Sequence, residues 1–142
     1  MSMENYCTVR FKEFKRELAE LQRGRTLNYA DETFILKGIA KSFELLFDLS
    51  WKTMKDILKN YFGVENYSTG SPRENLEQAF KMGLIKDDAT WLAMLKDRNF
   101  LAHDYDEAIA RAKVELIIND YFLKFKEFEA VVEVLLKTKK PL

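Results

Sequence analysis

The sequence predicts an all-α protein, an antiparallel up-and-down bundle of four to five helices. Apolar residues recur at helical spacing through most of the chain, and no segment alternates as a strand does. Glycine and proline are scarce, with five and two among 142 residues, which disfavours a fold with many tight turns. A chain of this length buries a real core, so we expect one bundle domain over residues 1–142.

Composition and charge limit the classes of function. The 23 basic and 23 acidic residues give a formal net charge of zero, so an anion site must be local rather than part of a basic field. The single cysteine, Cys7, excludes an internal disulfide and offers no metal cluster. No apolar run is long enough to span a membrane, and the start of the chain lacks an apolar signal segment. We therefore expect a cytoplasmic protein without a membrane partner.

The first two helices are predicted from apolar periodicity and from the glycines that follow them. The first covers residues 5–23, with Gly24 at its carboxyl end. The second covers residues 31–61, with Asp31 as its cap and Gly63 beyond its end. This second helix is apolar on more than one flank, which predicts contact with more than one neighbour. Its polar side is interpreted as a solvated face, and it carries Lys37, Lys41, Lys52, Lys55 and Lys59, with Glu44 and Asp48 as surface acids.

The start signals of the remaining helices are clear. Ser71 caps the third helix, Pro72 takes its first position and Glu74 completes a capping box. The last two helices are predicted over residues 91–105 and 106–137, with Asp87 or Asp88 as the cap of the fourth and Asp106 as the cap of the fifth.

Residues 97–106 carry the strongest chemical signal in the chain. They include Arg98, Tyr105 and the only histidine, His103. At 3.6 residues per turn, Arg98 lies near the middle of an apolar face, and Asn99 and His103 share its edge. A charge in an apolar stripe is uncommon unless it is paired or used. The predicted apolar face consists of Trp91, Met94, Leu95, Leu101 and Ala102.

Two interpretations of this constellation remain open. In the structural one, Arg98 pairs with Asp97 or with a neighbouring helix, His103 closes a helix end and Tyr105 fills core. In the functional one, the guanidinium binds phosphate, the histidine moves protons and the phenol or an amide orients a substrate. That set suits metal-free RNA cleavage, in which the ribose 2′-hydroxyl attacks its own phosphate, or simply holds a nucleotide. Arg98 and His103 diverge on an ideal helix, so they converge only if the helix frays or two copies meet.

Other chemistries have little support. The chain has no phosphate-cradling glycine loop and no nucleophile elbow, and we predict no cofactor. His103 with Asp104 and Asp106 could ligate a metal, but carboxylates after a helix end are more often caps, so we predict no metal site. A Cys7–His103 nucleophile pair is disfavoured by its sequence separation. Trp51 and Lys52 are more often core plus a solvated lysine than a ligand platform.

A family resemblance adds to these interpretations. Arg98-Asn99-x-x-x-His103 followed by x-Tyr105 resembles the signature of HEPN domains, small helical proteins of prokaryotes. Further blocks resemble one branch of these domains, and they lie in order at residues 43–55, 71–74, 91–92 and 94–99. The short motif alone is weak, whereas several blocks in order over nearly the full length are specific. The chain thus resembles the nucleotidyltransferase substrate-binding protein family.

The resemblance implies a five-helix bundle that forms homodimers and binds a minimal nucleotidyltransferase made next to it. Such two-component pairs are often regarded as toxin–antitoxin systems. In HEPN nucleases the residues that match Arg98 and His103 act in RNA cleavage at the dimer interface. The residue that matches Tyr105 can accept adenylyl groups from the partner enzyme, and Asn99 matches the polar residue beside the arginine.

We therefore predict a non-catalytic substrate- or nucleotide-binding subunit of a minimal nucleotidyltransferase. Its predicted nucleotide- or partner-binding residues are Arg98, Asn99, His103, Tyr105, Trp51 and Lys52, with Tyr105 also a modification site. The alternative is a metal-independent endoribonuclease toxin that uses Arg98 and His103 and is silenced by modification of Tyr105. A neutral chain with acidic residues flanking the motif attracts RNA poorly, which places the nuclease second.

Overall fold

The computed structural model describes residues 6–29, 32–64, 70–103 and 106–142, with only the backbone at Tyr6. Over these residues the chain forms helices and no strand, which confirms the all-α prediction. The helices are α1 (Tyr6–Gly24), α2 (Thr33–Asn60), α3 (Pro72–Lys81), α4 (Asp88–His103) and α5, which runs without a break through Glu107–Leu116, Ile117–Tyr121 and Phe122–Thr138.

Most of the predicted caps are present. Ser71 accepts a hydrogen bond from the backbone N–H of Glu74 at 3.2 Å, and Pro72 occupies the first turn of α3. Asp106 accepts from two backbone N–H groups at the start of α5. These bonds satisfy donors that a helix start otherwise leaves unpaired. At α2 the capping side chain is that of Glu32, and Asp31 lies outside the described residues.

Helix α2 lies at the centre of the bundle and contacts α1, α3, α4 and α5. The prediction that it touches more than one neighbour is confirmed. Phe43 of α2 is fully buried and stacks on Tyr121 of α5, with ring centroids 5.5 Å apart. Further ring contacts connect α1, α2, α4 and α5 through Phe14, Phe47, Trp91, Phe125 and Phe128. Burying this many rings supplies a large share of the hydrophobic stabilisation.

Side-chain contacts show that sequential long helices run antiparallel. Arg10 near the start of α1 reaches Asp56 near the end of α2, with 3.0 Å between Nη1 and Oδ2. Asp97 near the end of α4 contacts Lys113 near the start of α5, while Trp91 packs on the later Phe128. The up-and-down topology follows from these pairings.

A π-helical turn interrupts α5 at Ile117–Tyr121, and the sequence pattern did not predict it. Arg25 of the segment after α1 stabilises this turn. Its Nε donates to the carbonyl of Ile118 at 2.6 Å, and its guanidinium lies 3.9 Å from the ring centroid of Phe122. The wider turn changes the register of α5, so side chains before and after it reach different neighbours.

The buried face of α4 is rotated relative to the prediction. Trp91, Met94 and Leu101 are buried as expected, but Ala102 is exposed and Leu95 is only partly buried. The charged residue within the buried face is Asp97, which is 6% exposed, whereas Arg98 lies at the edge. The reason is that α5 presents polar partners to Asp97, so its carboxylate can be buried.

Candidate functional site

The middle of α2, the second half of α4 and the start of α3 form a cleft of about 210 Å³. Four predicted site residues line it: Trp51 and Lys52 of α2, and Arg98 and Asn99 of α4. The other lining residues are Phe47, Asp48, Pro72 and Leu95. The structure thus brings together the Trp51-Lys52 pair and the Arg98-Asn99 pair, which are far apart in the sequence.

Arg98 is paired with Asp48 across the cleft. Its Nε donates to Oδ1 at 3.0 Å and its Nη2 donates to Oδ2 at 2.9 Å. The two side chains are 26% and 29% exposed, so solvent screens the pair and its net contribution to stability is modest, about 1 kcal/mol or less. The hydrogen bond to Asp48 is the main cause of the raised pKa of Arg98, and the charges of Asp48 and Glu44 add to it.

The pairing geometry leaves part of the guanidinium free. A guanidinium has five N–H donors, and Asp48 takes one from Nε and one from Nη2. Nη1 lies 3.4 Å from the amide oxygen of Asn99 on the exposed side. The Nη1–Nη2 edge therefore retains N–H groups for a phosphate oxygen. Arg98 can hold an anion at this outer edge without losing Asp48.

Trp51 and Lys52 provide a different kind of surface beside the arginine. Trp51 is partly buried and lines the cleft, and Lys52 is exposed. The Lys52 Nζ lies 5.8 Å from the centroid of the Trp51 ring. An indole face suits stacking of a base, and an exposed ammonium suits a phosphate. Trp51 therefore packs partly against the hydrophobic core and also lines the cleft.

His103 is the last residue of α4 and is exposed. It does not line the cleft that contains Arg98. The divergence of the Arg98 and His103 side chains within one chain stays a prediction. Tyr105 and Asp104 lie outside the described residues.

Asp97 is a buried carboxylate that the sequence pattern suggested only as a partner of Arg98. The structure gives Arg98 a partner on the neighbouring helix instead, namely Asp48. Asp97 accepts a hydrogen bond from the Tyr121 hydroxyl at 2.5 Å and lies 3.0 Å from the Nζ of Lys113. Burial, followed by this hydrogen bond, raises the pKa of Tyr121. The network fixes the turn of α4 that carries Arg98.

The sequence indicates that Asp97 is buried, but it does not indicate that Asp48 pairs with Arg98. Asp97 lies three residues after Met94 and four before Leu101, which is the spacing of a buried position. Asp48 carried no comparable signal, because an acid beside lysines on a long helix is usually solvated.

Metal-binding and membrane-spanning features can be assessed for the described part of the chain. Among the residues that the structure describes, no group of three or more histidine, cysteine, aspartate or glutamate side chains is arranged to hold a metal ion. Within the same residues, none of the helices has the length and apolarity needed to cross a membrane.

The fold and the cleft define a small all-α domain in which Arg98 of α4 pairs with Asp48 of α2. The family described as "Nucleotidyltransferase substrate binding protein like" matches residues 9–134. The chain belongs to this family, and the resemblance found in its motifs is confirmed.

Two individual proteins are similar to this chain over much of its length. The chain is 29% identical over 91 residues to a Haemophilus influenzae protein named "Probable ribonuclease HepT", a match that covers 63% of this chain and 62% of that protein. A crystal structure of a Thermus thermophilus protein has 26% identity and a TM-score of 0.71, covering 86% of this chain and 98% of that one.

A second solved structure supports the fold alone. It is a Haemophilus influenzae protein with 22% identity and a TM-score of 0.61, covering 89% of this chain and 96% of that one. Its structure is described as revealing the fold of a substrate binding domain of a nucleotidyltransferase.

Proposed function

We propose that this protein is the substrate- or nucleotide-binding partner subunit of a minimal nucleotidyltransferase, in a two-component pair of the toxin–antitoxin kind. The observation that carries the proposal is the cleft between α2 and α4, in a chain that belongs to the substrate-binding family. The cleft offers a guanidinium edge, an amide, an ammonium and an indole side by side. These are the groups that bind a phosphate and a base together.

Each lining residue has a distinct role in this proposal. The outer edge of Arg98 donates to a phosphate oxygen, and Asn99 holds that edge in place from the exposed side. Lys52 neutralises a second phosphate charge. Trp51 stacks on the base, an interaction worth about 1–3 kcal/mol in proteins that bind single-stranded nucleic acids.

The subunit acts as a homodimer in this proposal. Arg98 and His103 do not meet within one chain, and a two-fold arrangement can bring Arg98 of one copy near His103 of the other. Tyr105, two residues further on, would be presented to the partner enzyme. In that reaction the tyrosine oxygen attacks the α-phosphorus of a nucleoside triphosphate, and pyrophosphate and a proton leave.

The proposal expects a minimal nucleotidyltransferase to be encoded beside the gene, and the test is co-expression of the two proteins, followed by purification through a tag on one partner. We expect a stable complex and, with nucleoside triphosphate, a mass increase on Tyr105 that is absent from Tyr105→Phe. Arg98→Gln should reduce nucleotide binding, whereas Glu20→Gln, a charge change at an exposed residue of α1, should not. Absence of both complex and adduct would contradict the proposal.

A second candidate is a metal-independent endoribonuclease, because one relative bears the name "Probable ribonuclease HepT". Arg98 would stabilise the charge on the scissile phosphate. His103 would transfer a proton to or from the reacting oxygen, a role that typically contributes about a hundred- to ten-thousand-fold.

This candidate is tested by incubating the purified protein with RNA in the presence of a chelator. Cleavage by the wild type that is lost in His103→Ala and Arg98→Gln would support the nuclease. Intact RNA with all three proteins would contradict it and leave the binding role as the better explanation.

A further inference from the structure

The charges around the cleft nearly cancel. Arg98 and Lys52 contribute two positive charges, and Asp48 lies in direct contact with Arg98 as a negative one. Glu44, one turn before Asp48 on α2, is a second negative charge near Arg98 and helps to raise its pKa. An anion that enters the cleft therefore meets a weak local field, although two cations line it.

We propose that Asp48 weakens anion binding in the cleft: by occupying one edge of Arg98 it leaves free inorganic phosphate with low affinity, so that only ligands that also present a base are retained. This inference rests on the proposed nucleotide-binding role of the cleft and assigns the low affinity for phosphate to one residue.

The geometry supports this role for Asp48. Its two oxygens take the Nε–Nη2 edge, with donor–acceptor distances of 3.0 and 2.9 Å. A phosphate can then use only the outer edge of Arg98, on the side of Asn99. The phosphate then lies on the far side of the guanidinium from Asp48, whose carboxylate repels it. Arg98 paired with Asp48 therefore attracts phosphate much less than an unpaired arginine would.

A nucleotide has an additional source of affinity in the same cleft. Its base can stack on Trp51, which does not depend on the charge of Arg98. Stacking of this kind multiplies affinity by roughly ten- to hundred-fold. Inorganic phosphate has no base and gains nothing from Trp51. An unpaired Arg98 beside Lys52 would bind inorganic phosphate more tightly than the paired arginine does, because both edges of the guanidinium would be open to it.

The experiment uses isothermal titration of the full chain with two probes, inorganic phosphate and ATP, at low ionic strength. The variants are Asp48→Asn, which removes the charge and keeps the size, Asp48→Ser as a second replacement, and Arg98→Gln. Glu20→Gln is the matched control for net charge, since Glu20 forms an exposed ion pair with Arg23 on α1. Circular dichroism confirms that each variant is helical.

We expect the wild type to bind phosphate at least tenfold more weakly than ATP. In both Asp48 variants the Kd for phosphate should fall about tenfold or more, while Glu20→Gln should match the wild type. If the Kd for phosphate falls by less than tenfold in both Asp48 variants, or rises, Asp48 does not keep phosphate out of the cleft and the inference is wrong. An unchanged Kd for ATP in Arg98→Gln would instead overturn the nucleotide-binding role of the cleft. The two failures are therefore separable.

Discussion

Removal of the Tyr121 hydroxyl tests the buried network behind the cleft. Tyr121→Phe keeps the ring that stacks on Phe43 and removes only the donor to Asp97. The Asp97 carboxylate then remains buried beside the ammonium of Lys113. Because a buried acceptor loses a charge-assisted hydrogen bond, the free energy of unfolding should fall.

The magnitude follows from the burial of the groups. Hydrogen bonds to charged groups contribute about 1.5–3 kcal/mol, and both Asp97 and Tyr121 are buried. We expect a loss of about 2 kcal/mol. For a chain of this length the unfolding entropy near Tm is about 0.3 kcal/mol/K, so Tm should fall by about 7 °C.

Urea denaturation and calorimetry measure this change, and the m-value should stay constant because the buried surface is retained. Lys113→Met is the comparison variant. The Lys113 side chain is about one-third exposed, so the loss of its ammonium should cost less stability than the loss of the hydroxyl. A change below about 0.5 kcal/mol in Tyr121→Phe would refute the claim that this hydrogen bond stabilises the turn that bears Arg98.

Three further changes give predictions for stability. Gly38→Ala should raise the free energy of unfolding by about 0.5–1 kcal/mol in urea denaturation, because Gly38 lies within the second turn of α2 and an added Cβ meets open space. Gly83→Ala also meets open space but has a φ of +80°, so it should lower stability by about 1 kcal/mol; equal signs for the two would contradict the argument. Burial raises the pKa of the Cys7 thiol from 9.0 to about 12. Above about pH 9 the unfolded chain loses this proton while the folded chain keeps it, so Tm should fall as the pH rises. The fall should be smaller in Cys7→Ala when both are compared with their Tm at pH 8.

The helices were predictable from the sequence because their signals are local. Ser71 and Asp106 cap helices through backbone groups within three residues, and such short-range chemistry is legible in the sequence. The apolar spacing of α2 likewise indicated a central helix. These features need no knowledge of the other helices.

The pairing of charges could not be predicted in the same way. Whether Arg98 meets Asp97 or Asp48 depends on the rotation of α4 against α2 and α5, which the packing of the whole bundle fixes. The π-helical turn at Ile117–Tyr121 is a similar case. Its apolar residues fit an ordinary helix equally well, and the hydrogen bond from Arg25 to the carbonyl of Ile118 spans 93 positions.

Binding of nucleotide in the cleft is tested most directly by a nitrogen-15 NMR titration that follows the two tryptophan indole N–H signals as ATP is added. Trp51 lines the cleft, whereas Trp91 is buried behind it, where its ring packs on the lining residue Phe47 without lining the cleft itself, so one spectrum contains both the probe and its reference. If nucleotide binds in the cleft, the Trp51 signal should shift in a saturable way and the Trp91 signal should change little. Arg98→Gln should weaken the response. Equal shifts of both signals, or none from Trp51 at millimolar ATP, would contradict binding of nucleotide in the cleft.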